Sequence, residues 1–109
     1  MNKLNAEISD TVDSILHDIV IDINDELPND HQIVFDKDTI IWGHEGVLDS
    51  FGLVTVLVKI ESALASHYDK PIRLIDSRAM SQTSSPLRTL GTLADYIQTT
   101  LKANGIENE

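Results

Sequence analysis

Residues 53–70 constrain the fold most, because they form a long, largely apolar stretch that contains neither proline nor glycine. The β-branched beginning of this stretch, residues 54–60, is also compatible with a buried strand. Length favours a helix instead, since residues 61–65 continue the segment with good helix formers at helical spacing. The sequence therefore predicts one long helix from Phe51 to His67.

On a helix, this stretch carries two apolar rows. The first row, which Val56 and Ala63 widen, consists of Leu53, Leu57, Ile60 and Leu64. The second row lies on another face and consists of Phe51, Val54 and Val58. One small core cannot easily absorb both rows, so the second row is a candidate surface for contact with another protein.

Two further helices flank the central one. Residues 4–27 carry apolar side chains at steps of three and four, and Pro28 is predicted to end that helix. The last helix is predicted to start with Thr89 as its N-cap and to stop at Asn104-Gly105. A short helical turn is predicted from Asp76 to Met80.

The connection between the first two helices, residues 28–49, is long and not purely polar. Residues 32–35 and 39–42 could pair as a short hairpin, but a loop that folds back over a helical core is the favoured interpretation. The sequence thus predicts an all-α fold, a small four-helix bundle with three longer helices, one short helix and a long first loop. Residues 1–102 are predicted to form the domain and residues 103–109 a flexible C-terminal tail.

Composition excludes several classes of function. A chain of 109 residues holds one domain, and its five aromatic residues leave it an aliphatic core. The net charge of −10, concentrated in residues 1–30, argues against nucleic acid as a partner. Cysteine is absent, so disulfides and thiol nucleophiles are excluded. The sequence has no signal peptide pattern and no stretch that could span a membrane, so we expect a cytoplasmic protein without membrane insertion.

Asp49 and Ser50 stand where a polar loop runs into the central helix. The start of a helix presents unpaired backbone N–H groups and the positive end of the helix dipole, which together favour a covalently attached phosphate. Helix capping is the simpler explanation of this pair, because Asp and Ser are both preferred N-cap residues. The dipeptide alone favours capping. The surrounding sequence supports the other interpretation, a covalently attached group on Ser50.

Residues 46–61 resemble the attachment region of acyl carrier proteins. In that family, an Asp-Ser-hydrophobic triplet follows a glycine-bearing loop, and a helix of valines and leucines then leads to a glutamate, here Glu61. The resemblance covers most of the chain. It includes the acidic first helix, the long first loop, a short helix near residues 76–80 and the closing segment, residues 90–97.

The resemblance implies that Ser50 is the acceptor to which a phosphopantetheinyl transferase moves 4′-phosphopantetheine from coenzyme A. The thiol of that arm would carry an acyl group as a thioester between acyl-loading and acyl-transfer enzymes. Asp49 would belong to the attachment motif, and the docking surface would comprise Phe51, Val54, Val58 and Glu61. The chain itself would be a monomer without catalytic residues.

Two departures from the family pattern suggest a specialised carrier for a dedicated biosynthetic pathway. Thr55 and Ser62 occupy positions that are often acidic in the family, and Lys59 adds a positive charge. The connector of residues 81–88 is longer than usual. An aminoacyl or peptidyl carrier, and a small acidic helical adaptor without a prosthetic group, are the alternatives.

Asp13 and His17 are four residues apart, but a solvated pair is favoured over a metal site.

Overall fold

The computed structural model of the chain describes residues 3–42, 46, 48–75 and 87–106, apart from the side chains of residues 3–7 and 50. These residues form three α-helices and a single 3-10 turn, and they contain no β-strand. The helices are α1 (Lys3–Asn24), α2 (Ser50–Tyr68) and α3 (Leu90–Ala103), with the 3-10 turn at Asn29–His31. Helix α1 packs against both α2 and α3. The predicted all-α class is confirmed for these residues.

The aliphatic core is built from one face of each helix and from several loop residues. The four side chains of the predicted first row of α2 are completely buried, and Val56 beside them is nearly so. The other helices contribute Ile8, Val12, Leu16, Ile19, Val20, Leu90, Leu93, Ile97 and Leu101. The connecting segments add Ile33, Ile41, Ile72, Leu74, Leu87 and Ile106. Burial of these side chains supplies the main force that holds the helices together.

Helix α1 ends at Asn24, three residues earlier than the sequence pattern predicts. The Asn24 side chain donates a hydrogen bond to the carbonyl of Ile33 (2.9 Å) and accepts one from the Ile33 N–H (2.7 Å). The Asn24 side chain therefore binds the first loop at the point where the helix ends. Pro28 also disfavours helical geometry in the residue before it.

Residues 37–41 of the first loop pair with the start of α3 and not with residues 32–35. Ile40 forms an isolated antiparallel bridge with Thr89, and the Arg88 carbonyl accepts a hydrogen bond from the N–H of Ile41 (2.7 Å). Earlier in the loop, the Lys37 carbonyl accepts a hydrogen bond from the Gly91 N–H of α3 at 2.8 Å. Among the described residues of this loop there is no hairpin, so the favoured interpretation of a folded-back loop is confirmed.

Helix α3 ends in a Schellman motif. Gly105 has a φ of 80°, and the Ile106 N–H reaches back to the Leu101 carbonyl at 2.9 Å. Ile106 is buried in the core. Residues 103–106 therefore belong to the folded unit, which corrects the domain boundary predicted at residue 102. The rest of the predicted tail, residues 107–109, lies outside the described residues.

The predicted short helix at Asp76–Met80 and most of the 81–88 connector also lie outside the described residues. The chain is described again from Leu87, which is buried. In the described part of the chain, no helix combines the length and the apolar character that crossing a membrane requires.

Candidate functional site

Asp49 is the N-cap of α2. Its backbone is extended, with φ −85° and ψ −178°, and its Oδ1 atom accepts a hydrogen bond from the Gly52 N–H at 2.7 Å. Its carbonyl accepts the first helical hydrogen bond, from the Leu53 N–H at 2.9 Å. Capping therefore explains Asp49. Ser50 follows as the first residue of the helix.

Gly52 leaves room for this cap. A Cβ atom at position 52 would lie 3.2 Å from Asp49 Oδ1 and 3.3 Å from Leu48 Cδ2. The space beside the glycine is thus occupied by the capping carboxylate and by the side chain of the loop residue before it. This crowding by Asp49 and Leu48 explains why a glycine stands in the first turn of α2.

The end of the first loop, which enters α2, is fixed to an earlier part of the same loop. The Leu48 N–H donates to the Ile41 carbonyl at 2.8 Å, and Leu48 forms a parallel bridge with Trp42. The Gly46 backbone lies so close to Trp42 that a Cβ atom there would overlap the backbone of residues 41 and 42. Leu48 and Trp42 are partly buried against the core. These contacts position the residues that lead into Ser50.

The first turn of α2 retains an N–H group that can bind an anion. The Phe51 N–H has no hydrogen-bond acceptor among the described residues. It lies at the positive end of the helix dipole, where a negative charge is stabilised. A phosphate attached at this point would therefore meet favourable electrostatics.

The second apolar row of α2 stays largely outside the core. The Phe51 side chain is 82% exposed and that of Val58 is 50% exposed, while Val54 is partly buried. Neither Trp42 nor Leu48 covers Phe51 to any large extent. The structure thus places an exposed aromatic ring on the residue next to Ser50.

Glu61, predicted as part of the docking surface, has contacts inside the molecule. Its Oε2 atom accepts hydrogen bonds from the backbone N–H groups of Leu74 (2.5 Å) and Ile75 (3.0 Å). The Tyr96 hydroxyl donates to the Leu74 carbonyl at 2.7 Å and fixes the same segment from α3. Glu61 therefore holds residues 74–75 against α2, a role that no local sequence signal could have revealed.

Lys59 is paired with α1. Its Nζ atom lies 3.0 Å from Asp22 Oδ2, and both side chains are substantially exposed to solvent. The hydrogen bond to Asp22, and then the charge of that carboxylate, raise the pKa of Lys59. The charged groups that α2 carries between positions 51 and 61, Lys59 and Glu61, thus both have partners within the chain.

An open pocket of about 630 Å³ lies along the second half of α2. Its lining is mixed, with apolar walls from Val58, Ala65 and Ile72 and polar groups from Glu61 and Arg73. The pocket borders the second apolar row at Val58, two helical turns after Ser50. The face of α2 that carries the second apolar row therefore combines an exposed ring at Phe51 with an adjoining recess at Val58.

Asp13 and His17 lie four residues apart on α1. Both are exposed, and the His17 ring contacts the Phe35 ring edge to face, with 5.0 Å between the centroids. Within the described part of the chain, no three His, Asp or Glu side chains are close enough together to hold a metal ion.

Comparisons of the chain with protein-family models, with curated proteins and with solved structures find no match. The likeness to acyl carrier proteins therefore depends on the sequence alone, above all on residues 46–61. The first turn of α2 adds two structural observations, the cap formed by Asp49 and the Phe51 N–H that has no acceptor among the described residues.

Proposed function

We propose that this chain is an acyl carrier protein that carries 4′-phosphopantetheine on Ser50. In this proposal, the segment at residues 76–80 supplies the short helix that completes a four-helix bundle. The carrier acts as a cytoplasmic monomer without catalytic activity of its own. It presents an acyl group to the enzymes of a dedicated biosynthetic pathway.

The observation that carries the proposal is the position of Ser50 directly after a residue that already caps the helix. Because Asp49 binds the Gly52 N–H, capping does not account for a serine at position 50. A hydroxyl-bearing residue at the first position of an apolar helix matches the attachment serine of the family that residues 46–61 resemble.

The residues present fit the prosthetic group. The phosphodiester would lie beside the first turn of α2, where the Phe51 N–H has no acceptor among the described residues and the helix dipole favours an anion. The group supplies a thiol that carries the load as a thioester, and the chain contains no cysteine of its own. Asp49 fixes the helix start from which Ser50 presents the attached group.

The second apolar row supplies the proposed docking surface for partner enzymes. Phe51 is exposed beside the attachment point, Val58 is exposed about two helical turns further along, and Val54 lies between them on the same face of α2. Glu61 was predicted to belong to this surface. Its hydrogen bonds to residues 74–75 give it a supporting position at the edge of the surface.

Intact mass measurement tests the proposal. The purified chain is incubated with coenzyme A, Mg²⁺ and a broad-specificity phosphopantetheinyl transferase. We expect a single covalent mass gain that Ser50→Ala abolishes and that Ser62→Ala, at an exposed serine of the same helix, retains. Circular dichroism of both variants verifies that the helices persist.

An unchanged mass with several active transferases would overturn the proposal and would favour a helical adaptor that uses Phe51 only for binding. The nature of the load requires a second assay. Incubation of the modified protein with acyl-activating or aminoacyl-activating enzymes separates an acyl carrier from an aminoacyl or peptidyl carrier.

A further inference from the structure

A second exposed apolar surface lies on α1 and the first loop. Ile21 is 50% exposed, Val34 69% and Phe35 42%. His17 adds an exposed ring that contacts Phe35. We call these four side chains the α1 patch. The proposed carrier function does not use them.

The four side chains form one surface because the first loop runs back along α1. The hydrogen bonds between Asn24 and Ile33 fix the loop at the end of the helix. The contact between Phe35 and His17 fixes it two turns earlier. Ile21 lies one turn after His17 on the same side of the helix. Val34 follows the buried Ile33 and points outward between these two anchor points.

A pocket beside Phe35 extends the patch towards α3. It has a volume of about 340 Å³, and its apolar walls come from Leu16, Phe35, Leu90 and Ala94. Asp13, Asp36 and Lys37 line its polar part. The pocket is large enough to receive a side chain of a partner beside the exposed ring of Phe35.

Charge restricts what can cover this surface. Residues 4–36 contain nine acidic residues and neither lysine nor arginine. Asp13, Asp18, Asp25 and Asp36 are all exposed on the same helix and loop as the patch. A second copy of the chain, a nucleic acid and an anionic lipid surface would all be repelled.

We propose that the α1 patch binds a cationic amphipathic helix of a protein partner. An apolar patch that is bordered mainly by carboxylates is complementary to an apolar stripe flanked by lysines and arginines, which one helix provides. Apolar side chains of the partner would contact Val34, Phe35 and Ile21. Its basic side chains would lie against the surrounding carboxylates.

Nuclear magnetic resonance titration of the full-length, ¹⁵N-labelled chain tests this proposal. The probe is a synthetic helical peptide of leucine and lysine with all leucines on one face. The control peptide has the same composition in scrambled order, so its charge is equal but it lacks an apolar face. We expect about tenfold tighter binding of the amphipathic peptide, with the shift changes centred on residues 17–21 and 33–36.

Matched variants locate the binding surface. Phe35→Ala is expected to weaken binding of the amphipathic peptide about tenfold, and Val34→Ser about threefold. Ser66→Ala, at an exposed residue of α2 that belongs to neither proposed surface, is expected to leave the affinity unchanged. Because Val34 makes little contact with the core, its variant keeps the test valid if Phe35→Ala perturbs the fold.

Three results would overturn the proposal. Equal affinity for the two peptides would mean that charge alone drives binding. Shift changes centred on Phe51 and Val58 would place the surface on α2. Concentration-dependent self-association through the α1 patch would make a second copy its partner. The Ser50→Ala variant must bind the peptide as the natural chain does, which separates this test from that of the carrier function.

Discussion

The starts of α2 and α3 have similar caps, but their first turns are covered differently. Asp49 caps α2 through the Gly52 N–H, and Thr89 caps α3 through the Thr92 N–H at 3.1 Å. At α3, however, the first loop also supplies carbonyl acceptors to the next N–H groups. The N–H of Leu90 donates to Thr39 at 3.0 Å, and that of Gly91 donates to Lys37 at 2.8 Å.

At α2, the corresponding N–H of Phe51 has no acceptor among the described residues, and the Phe51 ring faces solvent. Among the described residues, the first loop thus covers the start of α3 and leaves the start of α2 open. The start of α3 is part of the core architecture. Because no described residue accepts from the Phe51 N–H at the start of α2, the proposed function is assigned to Ser50 at that position.

Amide hydrogen exchange should show the largest difference between the two helix starts. The Gly91 N–H exchanges only when the first loop separates from α3, whereas the Phe51 N–H needs no such opening. We expect the Gly91 N–H to exchange roughly a hundredfold more slowly than the Phe51 N–H, after correction for intrinsic rates. Equal protection of the two amides would contradict the contrast.

Substitution of alanine for glycine tests the closed start of α3. A Cβ atom at Gly91 would lie 2.8 Å from the Lys37 carbonyl oxygen, so the loop would have to move. We expect Gly91→Ala to lower the free energy of unfolding by about 2 kcal/mol in urea denaturation.

Gly52→Ala is the matched control at the start of α2. Its Cβ atom would have closest distances of 3.2 and 3.3 Å, both to side-chain atoms. The higher helix propensity of alanine offsets this crowding, and we expect a change within about 0.5 kcal/mol. A larger loss from Gly52→Ala than from Gly91→Ala would reverse the assignment of open and closed helix starts.

Removal of either cap should have a similar, intermediate effect. Asp49→Ala and Thr89→Ala are each expected to lower the free energy of unfolding by about 1 kcal/mol. Asp49→Asn should retain nearly all of the stability, because asparagine is an equally good N-cap. If Asp49→Asn destabilises the protein as much as Asp49→Ala, the carboxylate charge contributes more than the hydrogen bond to Gly52.

A negative charge at position 50 should have the smallest effect. Ser50→Asp adds a carboxylate at the positive end of α2, and repulsion from Asp49 cancels part of the gain. We expect the free energy of unfolding to rise by about 0.3 kcal/mol at low salt, and the gain to vanish at high salt. Ser62→Asp, away from the helix start, is the control without a dipole contribution. Destabilisation by Ser50→Asp at low salt would argue against an anion site.

Local sequence signals predicted the features that depend on neighbouring residues. The two apolar rows of α2, the Thr89 cap and the stop at Asn104-Gly105 were all predictable, because periodicity and capping involve residues within one or two turns. The sequence pattern also separated the buried row of α2 from the row that remains largely exposed.

The features that could not be predicted depend on contacts between distant parts of the chain. The hydrogen bonds of Glu61 to residues 74–75 cross from a helix to a later loop. The cover over the start of α3 comes from residues 37–39, and Ile106 returns to the core after the last helix. No spacing along the sequence indicates such contacts. For the site, the sequence predicted attachment at Ser50, which stays a prediction, but not which member of the Asp49-Ser50 pair is the cap.

Tandem mass spectrometry of the transferase-treated protein tests the central claim most directly. Trypsin should release residues 38–59 as one peptide, in which Thr39, Ser50 and Thr55 are the three residues with hydroxyl groups. We predict that fragment ions place phosphopantetheine on Ser50. A modification on Thr39 or Thr55, or an unmodified peptide, would contradict the account.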